Sequence, residues 1–325
     1  MASLKMLLLV SLAATALAMP ASTRLTGRQL GYYDLSRRQN EAAVALGLGD
    51  LDILQFALTL EHLEAAFYQQ ALVQFPDAAS MGLQEHQLND LHQIAATESQ
   101  HVSTLQSALA QAGIAPVHPC TYDFSAALTD PATLLATAAI LENIGVSAYL
   151  GAAALVVDVQ ILAVAASIVT IEARHQTALR FFSSSSTTTS AAIPQAFDAA
   201  LGLRSVFSLA APFISSCPNG SALALEPFPT LAMADASQDI AALIAAGLNI
   251  QLTSEAGAGA THCAFTSGGV SVGGTVFSPY SEADGCAVPK GVAGVSYVAL
   301  ANSAPLDGIL TDDITVAGPI AMTIT

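Results

Sequence analysis

The chain has 325 residues, of which 53% are hydrophobic and only 10% are charged, and its formal net charge is −16. This length suits one large domain or a domain with a smaller module, and the apolar fraction allows a sizeable core. An acidic chain with so few Lys and Arg residues is a poor candidate for binding nucleic acid through phosphate contacts, whereas its charge favours the attraction of cations.

The N-terminus has the pattern of a secretory signal sequence. Lys5 precedes the apolar run 6–12, and the small residues Ala16 and Ala18 form a cleavage site. This pattern predicts a signal peptide over 1–18 and a secreted, extracellular protein. Residues 19–44 are expected to be a pro-segment or a linker, in which Arg37–Arg38 is either a processing site or a dibasic pair in a loop.

Helical periodicity in residues 45–185 predicts four long segments, at about 50–75, 83–112, 130–157 and 158–182. Asp50 or Asp52 is expected to cap the first segment, Asp130 the third and Asp158 the fourth. Short connections join the first segment to the second and the third to the fourth, whereas a long one, about 113–129, separates the two pairs. The chain is therefore expected to form a four-helix bundle of two antiparallel hairpins with a long crossover between them.

Each of the four segments carries a glutamate in the middle of its apolar face, and two of them add a histidine three residues later. The six residues are Glu61, Glu98, His101, Glu142, Glu172 and His175. Four unpaired carboxylates in one core would repel each other and would be costly to bury, and two divalent cations would balance their charges. A Glu and a His at i, i+3 share a helix face and can bind one ion. The pattern therefore predicts a site for two metal ions.

An internal repeat selects between two candidate ligands in the first segment. Glu61 aligns with Glu142, and in both copies a tyrosine follows seven residues later, at Tyr68 and Tyr149. The alternative ligand, Glu64, aligns with a glycine. We therefore expect Glu61 to bind metal, and Glu64 and the two tyrosines to lie beside the ligands as supporting groups.

The order of these residues, E…ExxH…E…ExxH with the two tyrosines, resembles the ferritin-like superfamily of bacterioferritins and rubrerythrins. The sequences of residues 54–68 and 171–179 (LQFALTLEHLEAAFY and IEARHQTAL) are similar to those of a branch that contains secreted fungal stress-response proteins and plant desiccation-related proteins. The resemblance covers about 45–185. It implies a mainly α, ferritin-like four-helix bundle with a dimetal site, and it does not imply a firmly known reaction.

The composition changes after the bundle. Residues 186–260 are expected to hold a Ser/Thr linker and accessory helices, the latter at about 192–209 and 235–248. Residues 261–325 are rich in Gly, Val, Thr and Ser, with alternating runs at 270–276, 295–300 and 314–325. This pattern predicts a small, Gly-rich β module at the C-terminus, similar to the tail of the fungal proteins.

Four cysteines in a secreted chain favour two disulfides, and the sequence leaves three pairings open. Cys263 with Cys286 is attractive because both lie in the C-terminal segment, which would leave Cys120 to pair with Cys217. Asn219 begins an N-glycosylation sequon in an expected surface loop.

These features favour a secreted protein that binds two iron ions and reacts with O₂ or peroxide, as a ferroxidase or another oxidoreductase in stress protection. Oxygen and nitrogen ligands also suit manganese, so a dimanganese catalase-like enzyme is one alternative. Another is a non-enzymatic structural or protective protein with a stabilising metal site. A homo-oligomer or a cell-wall partner is compatible with the sequence. Residues 145–170 are apolar, but Asp158 and Gln160 interrupt them, so no membrane span is expected.

Overall fold

The computed structural model describes residues 47–183, 192–193, 195–218, 225–235, 237–268 and 274–324. The expected signal peptide 1–18, residues 19–44 with Arg37–Arg38, the Ser/Thr run 184–190 and Asn219 lie outside the described residues. Within the described ranges, a bundle of long helices is followed by short helices and a five-stranded antiparallel sheet. The expected fold class, mainly α with a small β module at the C-terminus, is confirmed.

Four long helices form two hairpins, and a single helical turn lies between the first two of them. The elements are α1 (Asp50–Gln74), α2 (Ala78–Met81), α3 (Glu85–Gln111), α4 (Pro131–Ala153) and α5 (Val159–Ser183). The helices α1 and α3 pack against each other, as do α4 and α5. The long crossover runs from the end of α3 to the start of α4, as the sequence predicts.

Asp50 joins the two hairpins at one end of the bundle. Gly49 is the N-cap of α1, and its N–H donates to the carboxylate of Asp52 at 2.8 Å. The carboxylate of Asp50 instead accepts the backbone N–H groups of Val157 and Asp158, at 2.9 and 2.7 Å. The start of α1 is thereby held to the turn between α4 and α5.

The crossover is anchored both to the bundle and to the segment that follows it. β1 (Thr121–Tyr122) pairs antiparallel with β2 (Ile214–Ser216), and the disulfide Cys120–Cys217 lies beside this pair. The side-chain amide of Gln55 in α1 donates to one crossover backbone group at 2.8 Å and accepts from another at 2.9 Å. These contacts fix the long connection against the first hairpin.

The accessory region contains less helix than the sequence pattern predicts. Among its described residues the α-helices are α6 (Leu203–Ala210) and α7 (Ile240–Ala245), with 3-10 turns at Ala211–Phe213 and Gly257–Gly259. The helix expected at about 192–209 therefore corresponds to α6 at the end of that range only. The N–H of Leu201 donates to the carbonyl of Ser147 in α4 at 3.1 Å. The approach is close, because a Cβ on Gly151 would lie 1.9 Å from the Leu201 carbonyl oxygen. Packing on α4 thus overrides the helix propensity of this Ala-rich segment.

The C-terminal module is one sheet of strand order β7-β6-β5-β8-β9, preceded by a small two-stranded pair. The pair is β3 (Ala232–Met233) and β4 (Leu252–Thr253), and the sheet contains β5 (His262–Thr266), β6 (Thr275–Ser281), β7 (Gly285–Cys286), β8 (Gly294–Ala301) and β9 (Thr315–Ile324). The sequence patterns predicted the last two strands and the start of β6, but missed β5 and β7. The disulfide Cys263–Cys286 joins β5 to β7.

The apolar character of α4 is explained by its surroundings. This helix is long and apolar enough to cross a membrane by length and composition, and it alone among the described helices meets those criteria. In its most apolar window, however, 78% of the residues are buried inside the fold. It packs against α5 and α6, and α6 packs in turn on β9. The helix therefore has the environment of a core helix.

We predict that removing the crossover disulfide destabilises the protein more than removing the sheet disulfide. The two bridges close separations of 97 and 23 residues. A chain-entropy model gives about 4.7 kcal/mol for a 100-residue loop and about 3 kcal/mol for a 15-residue loop. Urea unfolding of Cys120→Ser/Cys217→Ser and of Cys263→Ser/Cys286→Ser tests this order. A larger loss in the second variant would contradict it.

Candidate metal centre

The structure brings all six sequence-predicted residues together inside the bundle, each at most 8% exposed. Their ligand atoms form two groups, and within each group the atoms lie within 4.8 Å of one another. The groups are Glu61, Glu98, His101, Glu172 and Glu98, Glu142, Glu172, His175. Because Glu98 and Glu172 belong to both groups, the geometry offers two adjacent cation positions with two shared carboxylates.

His101 lies at the centre of the first group. Its Nδ1 is 3.2 Å from an oxygen of each of three carboxylates, those of Glu61, Glu98 and Glu172. A ring nitrogen carries at most one hydrogen and cannot donate to all three. Oε2 of Glu61 and both oxygens of Glu172 are buried and receive no hydrogen bond from the described part of the chain. Such atoms are costly to bury, and a cation among them would satisfy them together with Nδ1.

His175 has the equivalent place in the second group. Its Nδ1 lies 2.8 Å from Oε1 of Glu98 and 3.1 Å from Oε2 of Glu142. The rings of His175 and His101 are stacked, with centroids 6.4 Å apart. Both histidines therefore direct the same nitrogen towards the carboxylates, as the repeat of the two hairpins requires.

The two tyrosines each reach across to the other hairpin. Tyr68 in α1 donates its hydroxyl hydrogen to Oε1 of Glu142 in α4, and Tyr149 in α4 donates to Oε1 of Glu61 in α1 at 2.5 Å. Burial, reinforced by the neighbouring carboxylate, raises the pKa of both tyrosines well above its usual value, so both stay protonated donors near neutral pH. Each of these glutamates thus has one oxygen held by a tyrosine and the other directed at a histidine.

Glu64 is a fifth buried carboxylate, at the edge of the centre. Its Oε1 and Oε2 of Glu172 both lie over Gly145, at 3.1 and 2.5 Å from the position that a Cβ would take there. Burial, together with the charge of Glu172, raises the pKa of Glu64 well above its usual value. The glycine that aligns with Glu64 in the repeat therefore leaves the volume that the two carboxylates use.

The carboxylates and imidazoles of the cluster strongly shift each other's pKa values. Burial would lower the pKa of both histidines, but the surrounding carboxylates raise it to about 12 for His101 and about 9 for His175. Burial raises the pKa of Glu61 to about 7, although His101 opposes the shift. Burial acts in the same direction on Glu98, but the two histidines beside its carboxylate lower its pKa to about 2. The cluster therefore attracts positive charge.

Glu61 and Glu142 are each followed by a residue whose side chain makes a buried polar contact. The sequence analysis did not predict either contact. His62, after Glu61, has its Nε2 3.3 Å from the carbonyl oxygen of Val117 in the crossover. Asn143, after Glu142, is also buried, and its side chain donates to the hydroxyl of Tyr297 in β8 at 2.6 Å. The sequence signal was a polar residue beside a ligand in an apolar helix, but no pattern identified the distant partners.

A family model described as a ferritin-like domain matches residues 49–185. This range contains both hairpins, the crossover and all six clustered side chains. The resemblance to the ferritin-like superfamily is thereby confirmed, whereas membership of the fungal and plant branch stays a prediction. No curated protein matches the sequence.

We predict that the metal-free protein loses stability as the pH rises from about 5 to about 9. Glu61 contributes stability in its protonated form below the usual glutamate pKa of 4.5, and this contribution is lost as the pH rises through its folded-state pKa of about 7. Protonated His175 contributes below 6.5 and loses its contribution as the pH passes about 9. Thermal unfolding at a series of pH values measures this.

A melting temperature that stays constant or rises over this interval would contradict the prediction. The variant Glu61→Gln is the control, because it should flatten the part of the profile below about pH 7. Metal-loaded protein should show the opposite dependence in this range, since ligands must lose their protons to bind metal.

Gly145→Ala is expected to weaken metal binding while the fold is kept. The added methyl group would lie 2.5 Å from Oε2 of Glu172 and would turn that carboxylate away from the centre. Alanine favours a helix interior over glycine by about 1 kcal/mol, so the metal-free melting temperature should stay the same or rise. A metal titration should show affinity lowered about 10- to 100-fold. Unchanged affinity would mean that Glu172 does not bind metal in this orientation.

Proposed function

Since residues 49–185 belong to the ferritin-like domain family, we propose that this is a secreted protein that binds two iron ions and oxidises Fe(II), or another substrate, with O₂ or peroxide. The proposed ligands are Glu61, Glu98, His101, Glu142, Glu172 and His175. One observation carries the proposal: two buried ligand groups overlap at two shared carboxylates. A glutamate from each of two helices and a Glu-x-x-His pair from each of the other two are the residues that would hold two metal ions in a bundle of this kind.

The types of ligand atom in the cluster are suited to iron and also to manganese. Four carboxylates and two imidazoles supply oxygen and nitrogen ligands, and the two described disulfides leave no free cysteine for a thiolate site. Carboxylate and imidazole ligands suit Fe and Mn, and two divalent ions would balance the four negative charges. Bound iron would supply one-electron redox chemistry towards O₂ or peroxide.

The remaining residues of the centre would orient the ligands and hold protons. Tyr68 and Tyr149 each hold Oε1 of a glutamate, Glu142 and Glu61 respectively. The other carboxylate oxygen, Oε2, is thereby directed at the proposed cation positions. Glu64 lies near Glu172 over Gly145, and burial together with the charge of Glu172 raises its pKa well above the usual value, which favours its protonated form. It would be a source of the protons that O₂ or peroxide takes up on reduction. The burial of all six proposed ligands would limit access of water to the bound ions.

Export from the cell is supported by the disulfides. Both bridges are of a kind that forms and persists in oxidising, extracellular environments. An extracellular site would also expose the protein to O₂ and peroxide. The proposed role in stress protection rests on this chemistry, because oxidation of free Fe(II) removes a reactant that would otherwise form radicals from peroxide.

The test is elemental analysis and oxygen consumption by the purified full chain. We expect about two iron ions per chain after anaerobic loading with Fe(II), and O₂ uptake when Fe(II) is added in air. Glu98→Gln should lose both ions because Glu98 belongs to both groups. Glu85→Gln is the matched control, since Glu85 lies exposed near the start of the same helix. It should bind metal and react as the unchanged protein does.

Three other outcomes of these measurements would contradict or replace the iron proposal. Failure to bind metal after loading would contradict the site. Two manganese ions with disproportionation of peroxide would replace the iron proposal with a dimanganese catalase-like one. Bound metal without turnover of O₂ or peroxide, but with a raised melting temperature, would favour a non-enzymatic protective protein with a stabilising metal site.

A further inference from the structure

We propose that the C-terminal sheet is part of the metal centre, because Tyr297 positions the half that contains Glu142 and His175. The inference rests on the proposed function in one respect, namely that the six clustered residues bind two metal ions. It assigns a role to the β module, and it makes Tyr297 a positioning residue, since its hydroxyl contacts helix α4 and none of the six ligands.

Tyr297 leaves its own sheet and enters the core of the bundle. It lies in β8, all eight residues of which are buried, and its side chain packs in the hydrophobic cluster formed by the helices. The hydroxyl donates to the carbonyl oxygen of Asn143 at 2.9 Å and accepts from Nδ2 of the same residue at 2.6 Å. Oγ of Ser147 lies 2.8 Å away. These contacts use the full hydrogen-bonding capacity of a phenol, one hydrogen and two lone pairs.

The contacts of the Tyr297 hydroxyl with Asn143 and Ser147 determine how α4 is rotated about its own axis. Asn143 and Ser147 are four residues apart, so they lie one turn apart on the same face of the helix. Asn143 directly follows Glu142. Contacts at two successive turns oppose rotation of the helix about its axis, and they thereby restrict the direction of the Glu142 side chain.

The same network reaches the histidine of this half. Oδ1 of Asn143 accepts a hydrogen bond from Nε2 of Gln176 in α5, at 3.3 Å. Gln176 directly follows His175, whose Nδ1 lies 3.1 Å from Oε2 of Glu142. Tyr297 therefore joins α4 and α5 through Asn143 at the level where these two helices present their ligands.

The first hairpin has a different support at the equivalent place. His62 aligns with Asn143 in the repeat, and its Nε2 lies 3.3 Å from the carbonyl oxygen of Val117 in the crossover. The half with Glu61 and His101 is thus held by the crossover, and the other half by the sheet. Loss of the Tyr297 hydroxyl should then affect one metal position and spare the other.

The test is anaerobic titration of the full chain with Co(II), followed by visible absorption, in Tyr297→Phe. This change removes the hydroxyl and keeps the ring. Mutating the residues that orient metal ligands typically lowers affinity about 10- to 100-fold, and Tyr297 acts through Asn143 and the helix, so the lower end of this range applies. We expect a loss of at least about 10-fold for one of the two ions and an unchanged dissociation constant for the other. Glu142→Gln identifies the affected ion, because it should abolish the same binding step.

Tyr280→Phe is the matched control. Tyr280 is a buried tyrosine in β6 of the same sheet, and its hydroxyl lies beside Gly257. It should bind both ions as the unchanged protein does. If Tyr297→Phe does not fold, Ser147→Ala tests the same network with Tyr297 and Asn143 in place, and it should weaken the same ion by a few-fold.

Two results would overturn the inference and leave the proposed function intact. Tyr297→Phe could bind both ions with unchanged affinity, or it could weaken both equally together with the melting temperature, which is the behaviour of a structural contact. If the unchanged protein binds no Co(II) and no Fe(II), the proposed function is wrong, and this inference fails with it.

Discussion

The structure depends on one electrostatic constraint: the carboxylates of Glu61, Glu98, Glu142 and Glu172 converge in a buried interior. Each is at most 1% exposed, and at this spacing their charges can be kept only if positive charge lies among them. Hydrogens on the two histidines supply part of that charge, and burial together with the neighbouring carboxylates raises the pKa of Glu172, and of the adjacent Glu64, well above its usual value. A site of this kind costs folding free energy until cations enter it.

The surrounding chain keeps the cluster from relaxing. The two tyrosines bond across the hairpins, so neither hairpin can move its outer glutamate without the other. Asp50 holds the hairpins together at one end, and the crossover is tied to α1 by Gln55 and to the following segment by a disulfide. The sheet covers α4 from the outside through Tyr297. Contacts far from the cluster therefore preserve the arrangement in which like charges face one another.

The sequence predicted the helices and the six clustered residues because both leave periodic signals. A glutamate such as Glu142 stands out in an otherwise apolar helix face. The repeat adds independent support, because it aligns each ligand of one hairpin with a ligand of the other. Other features depend on contacts distant in the chain. The helix expected at about 192–209 is replaced in part by chain that bonds to Ser147, and Tyr297 meets Asn143 across 154 residues. No local pattern specifies such partners, so neither the shortened helix nor the role of the sheet was predicted.

The two halves of the cluster are related by the repeat, but their surroundings differ. Nδ1 of His101 contacts three carboxylates, whereas Nδ1 of His175 contacts two. The stronger negative field holds the proton of His101 more tightly, with a pKa of about 12 against about 9. A cation that replaces this proton would be attracted by the same three carboxylates. The position beside His175 has one carboxylate contact fewer, so the attraction of a cation there depends more on the exact placement of each ligand. That second position is the one to which the C-terminal sheet is bonded, which gives a physical reason for the sheet to pack where it does.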